Sequence, residues 1–327
     1  MKKALWQKRL ENSKVQCLLC PRKCIISNKR DGFCFGRVNH NGILYAKNYG
    51  QAVTIAIDPI EKKPLFHFLP GSDILSTATY GCNMRCPFCQ NYEISQVKAP
   101  TTEITPENLV EIAKNKKLQS IAFTYTEPII WYEMILDTSK IAKNNGIKII
   151  LVTNGLINSK PLEEIIPYID AMNIDLKSID ANVYKKTLSG DLSTVQNTIK
   201  TSFENGIHIE ITNLIVTGLN DKKSDISILI DWVASLSSDI PIHFSKYSPN
   251  YKYKEPPTSP EILDYAYKKA KEKLNFVYTG NVIAGKENTY CPKCGELLIE
   301  RNYFNIKQNR LINGKCPSCG KKIYGFF

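Results

Sequence analysis

The sequence predicts an α/β fold: a partial (β/α)6 barrel of TIM type, with an N-terminal Cys-rich and β extension before it and a C-terminal zinc ribbon after it. Three observations predict this. Short β-branched runs alternate with longer stretches of helical period between residues 74 and 278. The 11 cysteines fall into three groups, one near each end of the chain and one just beyond the first run. Polar residues collect where the runs end, the rim at which a βα barrel keeps its chemistry. The corresponding units are residues 1–70, 71–285 and 286–327.

A chain of 327 residues can bury a sizeable core, and 43% hydrophobic with 23% charged residues is ordinary for a globular protein. No apolar run approaches the roughly 20 residues of a membrane span. The charged, amphipathic start at residues 1–9 lacks the apolar stretch of a signal peptide, so a cytoplasmic protein is expected. In that setting clustered C-x2-C pairs point to metal rather than to disulfides. A formal charge of +12 invites a nucleic-acid reading. Thiolates bound to metal would bring it to roughly +7, however, and the lysines are scattered. Nucleic-acid binding stays open without being favoured.

The N-terminal group is Cys17, Cys20, Cys24 and Cys34, spaced C-x2-C-x3-C-x9-C. The segment has few aliphatic side chains to bury and so needs a staple. Zinc and an auxiliary iron–sulfur cluster both fit four thiolates, and Gly32 and Gly36 suit the tight backbone. Strand patterns follow at residues 43–46 and 52–56. A Pro-bounded loop comes next, with His67 expected to pack beside Phe66 and Phe68.

The barrel strands are expected at 74–79, 120–125, 148–153, 171–176, 208–216 and 241–246, with a further one at 276–278. Helical stretches lie between them at 106–114, 130–144, 194–205, 225–236 and 260–274. About six such units leave a barrel open on one side for a larger substrate. The strand ends carry, in order, the central cysteines, Thr126-Glu127-Pro128, Asn154-Gly155, Asp175-Leu176-Lys177, Asn213 and Ser245-Lys246-Tyr247. Taken singly, several of these have plain structural readings. Thr126 and Pro128 suit a helix entry, and Asn154-Gly155 suits a turn.

The central group, Cys82, Cys86 and Cys89, is spaced C-x3-C-x2-C. Three thiolates this close can hold one iron–sulfur cubane by three of its irons, leaving the fourth open. A zinc site with three thiolates is the plain alternative. The spacing resembles the radical S-adenosylmethionine (radical SAM) enzymes, in which a 4Fe-4S cluster chelates SAM. The resemblance implies reductive cleavage of SAM to a 5′-deoxyadenosyl radical that abstracts hydrogen from substrate. It also implies that Thr126, Glu127, Asn154, Asp175 and Lys177 contact the bound SAM, with Glu127 at its ammonium. The usual Gly-Gly-Glu-Pro is here Tyr125-Thr126-Glu127-Pro128, and Val152 stands where related activating enzymes often carry Asp.

The last group, Cys291, Cys294, Cys316 and Cys319, forms two Cys-Pro-x-Cys-Gly knuckles about 20 residues apart, a zinc-ribbon spacing. Tyr303 and Phe304 between them read as ribbon core or as an exposed aromatic surface. Nearly end to end, the chain resembles the radical SAM enzyme of the AmmeMemoRadiSam system, a relative of the pyruvate formate-lyase activating enzymes. The match runs from Cys17-Leu18-Leu19-Cys20-Pro21-Arg22-Lys23-Cys24 through Phe123 to Pro128 and His243 to Pro249 to the terminal ribbon. The resemblance implies an external electron donor and, by association, Memo-like and AMMECR-type partner proteins. It names no substrate. A macromolecular substrate, either a glycyl-radical protein or an RNA, and a non-catalytic zinc-ribbon adaptor are the alternatives.

Overall fold

Eight strands hydrogen-bond into one mixed sheet in the computed structural model of the protein, which describes residues 1–283 and 285–327. In chain order they are β1 (Thr54–Pro59), β2 (Asp73–Ala78), β3 (Ser120–Phe123), β4 (Lys148–Thr153), β5 (Ala171–Asp175), β6 (His208–Ile215), β7 (Ile242–Lys246) and β8 (Val277–Gly280). From β2 to β8 each strand lies parallel to the next. β1 pairs antiparallel with β2 along its length, from Thr54 opposite Ala78 to Pro59 opposite Asp73. The six expected barrel strands are thus present, and the further run becomes β8. β1, expected with the N-terminal extension, is an edge of the same sheet. The edges β1 and β8 do not pair, so the sheet stays open.

Alternation along the parallel strands divides the burial. Leu75, Ile121, Phe123, Ile149, Leu151, Ile174, Ile209, Ile211 and Phe244 join the large core built with the helices. The longer helices are α1 (Pro106–Asn115), α2 (Tyr132–Asn144), α3 (Ser159–Ile165), α4 (Leu192–Glu204), α5 (Lys223–Leu236) and α6 (Pro260–Lys271). Their starts are specified locally. Thr105 and Asn108 form a capping box at α1, Asp191 caps α4, and Ser259 caps α6 ahead of Pro260. Ile74, Ala122, Ile150 and Ala171, offset by one residue, form a second cluster with Ile60, Leu65 and Phe68 of the β1–β2 connection. No helix among the described residues is long and apolar enough to cross a membrane.

Both ends of the chain dock onto this body. The N-terminal layer of short strands is fixed by a buried ion pair, Arg37 Nη1 to Glu133 Oε2 at 2.5 Å. The backbone N–H of Leu5 donates to the other Glu133 oxygen at 3.0 Å. At the other end β9 (Leu297–Asn302) and β10 (Asn305–Asn309) form an antiparallel hairpin. Its buried Arg301 donates to the Phe66 carbonyl at 2.7 Å and stands over the Phe66 ring at 4.4 Å. Phe66, Phe276 and Tyr278 share one core with Leu298, Ile299 and Ile323, so the tail has no separate interior. Tyr303 and Phe304 are exposed and stay outside that core.

Candidate functional site

Beyond β2 the chain turns through Thr79, Tyr80 and Gly81 into the central cysteines. Cys86 is buried, and Cys82 and Cys89 are half-buried. Each of the outer two has a polar neighbour. The Met84 N–H donates to the Cys82 sulfur at 3.3 Å, the Asn154 carboxamide approaches it at 3.7 Å, and Ser95 Oγ lies 3.1 Å from the Cys89 sulfur. Arg85 clamps the loop by donating to the Cys82 and Met84 carbonyls at 2.8 and 2.9 Å. Burial pushes the Cys86 thiol up to about 11 and the Cys82 thiol well above its ordinary value. Positive charge supplied by a metal centre is what would release their protons.

Spacing distinguishes the cysteine groups. Cys291, Cys294, Cys316 and Cys319 bring their sulfurs within 4.8 Å of one another, with Cys291 to Cys319 at 3.5 Å and Cys294 to Cys316 at 3.6 Å. That is the packing of thiolates about a single tetrahedral ion, whose metal–sulfur bonds are about 2.3 Å. Among the described residues no other group of three or more candidate ligands is so tight. Cys82, Cys86 and Cys89 are therefore set wider, as the separate irons of a cubane require. The donor set and its spacing fit a cluster.

Glu127 lies at the end of β3 and is 2% exposed. It accepts from Thr153 Oγ1 at 2.6 Å, from the Asn154 N–H at 2.8 Å and from the Ile129 N–H at 3.0 Å. Burial pushes its carboxyl up to about 7 against these bonds. It thus ties the end of β3 to the end of β4. Thr126 is likewise committed, donating to the Thr79 carbonyl at 2.6 Å. Asn154 bridges the triplet by donating to Asn83 Oδ1 at 2.9 Å, and Asn83 in turn donates to the Leu156 carbonyl at 2.9 Å. Asp175 is half-buried and pairs with Lys177 at 2.8 Å. Burial opposes the charge on Lys177, yet Asp175 and the Cys86 sulfur hold it above the usual lysine value.

Tyr125, at the first glycine of the usual motif, has φ +64°, a left-handed backbone that glycine would adopt freely. The turn is held from outside. The Tyr125 hydroxyl donates to Asp58, which also accepts from buried Lys63 at 2.8 Å and from Lys62 at 3.1 Å, while Asn91 donates to the Tyr125 carbonyl at 2.7 Å. Burial would raise Asp58, but hydrogen bonds from Lys63 and Tyr125 hold its carboxyl well below the usual range. Asp58, Lys63, Asn83 and Asn91 carry no periodic or spacing signal in the sequence. Of these, only Asn83 and Asn91, inside and next to the cysteine motif, could have been singled out.

Toward the same ends of β7 and β8, a cavity opens between the sheet and the ribbon hairpin. It is lined in part by Glu61, His243, Ser245, Thr279, Tyr303 and Phe304. Below it Glu210 accepts from His243 at 2.7 Å, from His208 at 3.1 Å and from the His67 N–H at 2.7 Å. His67 is buried, contacts the Tyr278 hydroxyl at 2.6 Å and is pushed down to about 3 by burial, a neutral packing residue.

The Radical SAM superfamily model matches residues 76–233. An uncharacterized protein of Methanocaldococcus jannaschii is 46% identical over 335 residues, covering 99% of this chain and 99% of its own. A putative glycyl-radical enzyme activating enzyme of the same organism is 28% identical over 220 residues, covering 64% of this chain and 80% of its own. The crystal structure of Streptococcus suis SuiB bound to S-adenosylmethionine shares the fold, with a TM-score of 0.51 at 16% identity over 68% of this chain and 53% of that one. The match to the superfamily model spans the cysteine triplet, Glu127, Asn154 and Asp175, and the chain belongs to the radical SAM superfamily.

Proposed function

We propose that the chain is a radical SAM enzyme of oxidoreductase or activating-enzyme type, acting on a substrate held over the open sheet, which we read as a partial (β/α)6 barrel. Cys82, Cys86 and Cys89 hold a 4Fe-4S cluster by three irons, leaving the fourth for SAM. With both bound, reductive cleavage of SAM supplies a 5′-deoxyadenosyl radical that removes a hydrogen atom from substrate. The chain's own groups prepare that site. Asn154 steadies Asn83 and the Cys82 sulfur, Lys177 sets a positive charge beside Cys86, and Glu127 locks two strand ends together. Half-buried Asp175 is the group left to accept from a ribose hydroxyl.

The observation that carries this reading is three sulfurs, each buried or half-buried and set wider than those of the C-terminal quartet, with that of Cys82 joined through Asn154 to Glu127. Anaerobic reconstitution followed by dithionite and SAM should release 5′-deoxyadenosine and methionine. A Cys86→Ala protein that still formed them would sink the assignment. The same reading places zinc in the C-terminal quartet, a cytoplasmic setting, an external one-electron donor and the AmmeMemoRadiSam partners, the Memo-like and AMMECR-type proteins. Nucleic acid is not favoured.

A second reading, activation of a glycyl-radical protein, is favoured by the name carried by the 28% identical relative. Electron paramagnetic resonance of a candidate partner incubated with enzyme and SAM should then show a stable glycyl radical, and its absence turns the search to small substrates.

A further inference from the structure

The N-terminal cysteines are built differently from the C-terminal ones. No three of Cys17, Cys20, Cys24 and Cys34 come as close as the ribbon quartet does, and none is in a disulfide. All four nevertheless line one cavity. A single zinc ion, with bonds of about 2.3 Å, draws its thiolates together. Four thiolates facing a shared space at wider separation suit the four irons of a cubane.

Two arginines lining the same cavity support an anionic occupant. Arg22 and Arg37 each bury an Nε–H with no partner in the protein. Arg37 is 2% exposed, and its Nη1 is already engaged by Glu133, which leaves Nε as the donor still to be satisfied. Buried donors in folded proteins almost always find an acceptor. The sulfides and thiolates of a cluster are acceptors of the required charge and place.

The cavity also touches the central site. Asn83, between Cys82 and Cys86, is part of its lining. Gly81, with φ +95°, lies so near the Cys34 carbonyl that a Cβ there would stand 2.1 Å from the oxygen. The ligand loops of the two sites therefore meet backbone to backbone.

We propose that Cys17, Cys20, Cys24 and Cys34 hold a second 4Fe-4S cluster, beside the one at Cys82, Cys86 and Cys89. An electron arriving there from an external one-electron donor has a short path inward through the Cys34 carbonyl and Gly81. The second site is independent of what substrate the enzyme acts on.

Full-length protein reconstituted anaerobically should contain about eight irons with matching sulfide and about one zinc. Its fully reduced electron paramagnetic resonance spectrum should be broadened by coupling between the two clusters. The Cys82→Ala/Cys86→Ala/Cys89→Ala protein should keep about four irons, with a simple signal that SAM does not alter. The Cys20→Ser/Cys24→Ser protein should show the complementary result, a simple signal that SAM does alter. About four irons and two zincs in the unmodified protein, or zinc alone in the triple variant, overturns the proposal. If the triple variant fails to fold, the iron-to-zinc ratio and the coupling in unmodified protein decide. Eight irons without 5′-deoxyadenosine formation would instead count against the SAM reading and leave the second cluster standing.

Discussion

Glu127 shows how much of a site residue's work is done inside the protein. Its carboxylate serves Thr153, Asn154 and Ile129, and truncation strands those donors. A stranded buried donor costs about 1–3 kcal/mol, so Glu127→Ala should lower the unfolding free energy by about that much in anaerobic urea titrations, besides weakening SAM binding. The pH response has a definite sign. Burial places the folded carboxyl at about 7, above an unfolded value of about 4.3. The stability this group contributes is therefore full below the unfolded value and is lost as pH rises through 7. Repeating the urea titration from pH 5 to 8 should show this slope flattened in Glu127→Gln. The Glu-Pro pair made the position legible in the sequence. Its partners did not show, because Thr153 and Asn154 lie a whole βα unit away. Tyr125 is similar: a bulky residue in a glycine position is visible, but the Asp58 and Lys63 that hold its turn come from the end of β1 and the connection after it, some sixty residues earlier, joined only by folding.

Among the elements, the two ends of the chain are held by opposite means. The N-terminal layer depends on the buried Arg37–Glu133 pair. Removing one partner of such a pair typically costs about 3–5 kcal/mol, since the other charge stays buried. Glu133→Ala should lose about that much in chemical denaturation and should also release Leu5, whose N–H uses the same carboxylate. The C-terminal hairpin rests instead on the sheet beneath it, with the Cys291, Cys294, Cys316 and Cys319 quartet at its base. Because Phe66 and Tyr278 are in the ribbon's core, stripping metal from Cys291, Cys294, Cys316 and Cys319 should do more than fray the tail. Hydrogen exchange after chelation should accelerate at the β1–β2 connection, where the His67 and Leu69 backbones bond to Phe326, while β4 and β5 remain protected. The knuckle spacing singled out the four cysteines that come together as the quartet. The docking of the hairpin could not be read, since Arg301 meets Phe66 across 235 residues and neither stands out locally.

At the scale of the whole molecule, the parallel sheet was legible because strands buried on both faces need continuous apolar, β-branched sequence, and runs such as Ser120–Phe123 and Lys148–Thr153 have it. β1 escaped assignment to the sheet for the matching reason. As an edge strand with Thr54, Ile55 and Ala56 only partly covered, it reads like any hairpin strand until β2 claims it. The open seam between β1 and β8 is likewise a property of pairing rather than of composition. The close approach of Gly81 to the Cys34 carbonyl bears on how such chains can be recombined. A chimera cut near residue 70 would take its first cysteine segment from one parent and its barrel from another. It would succeed only if the barrel donor kept a side chain absent at 81 and the other parent kept the same backbone path at 34. The two cysteine segments are thus inherited as a pair, and exchange experiments should treat them as one unit.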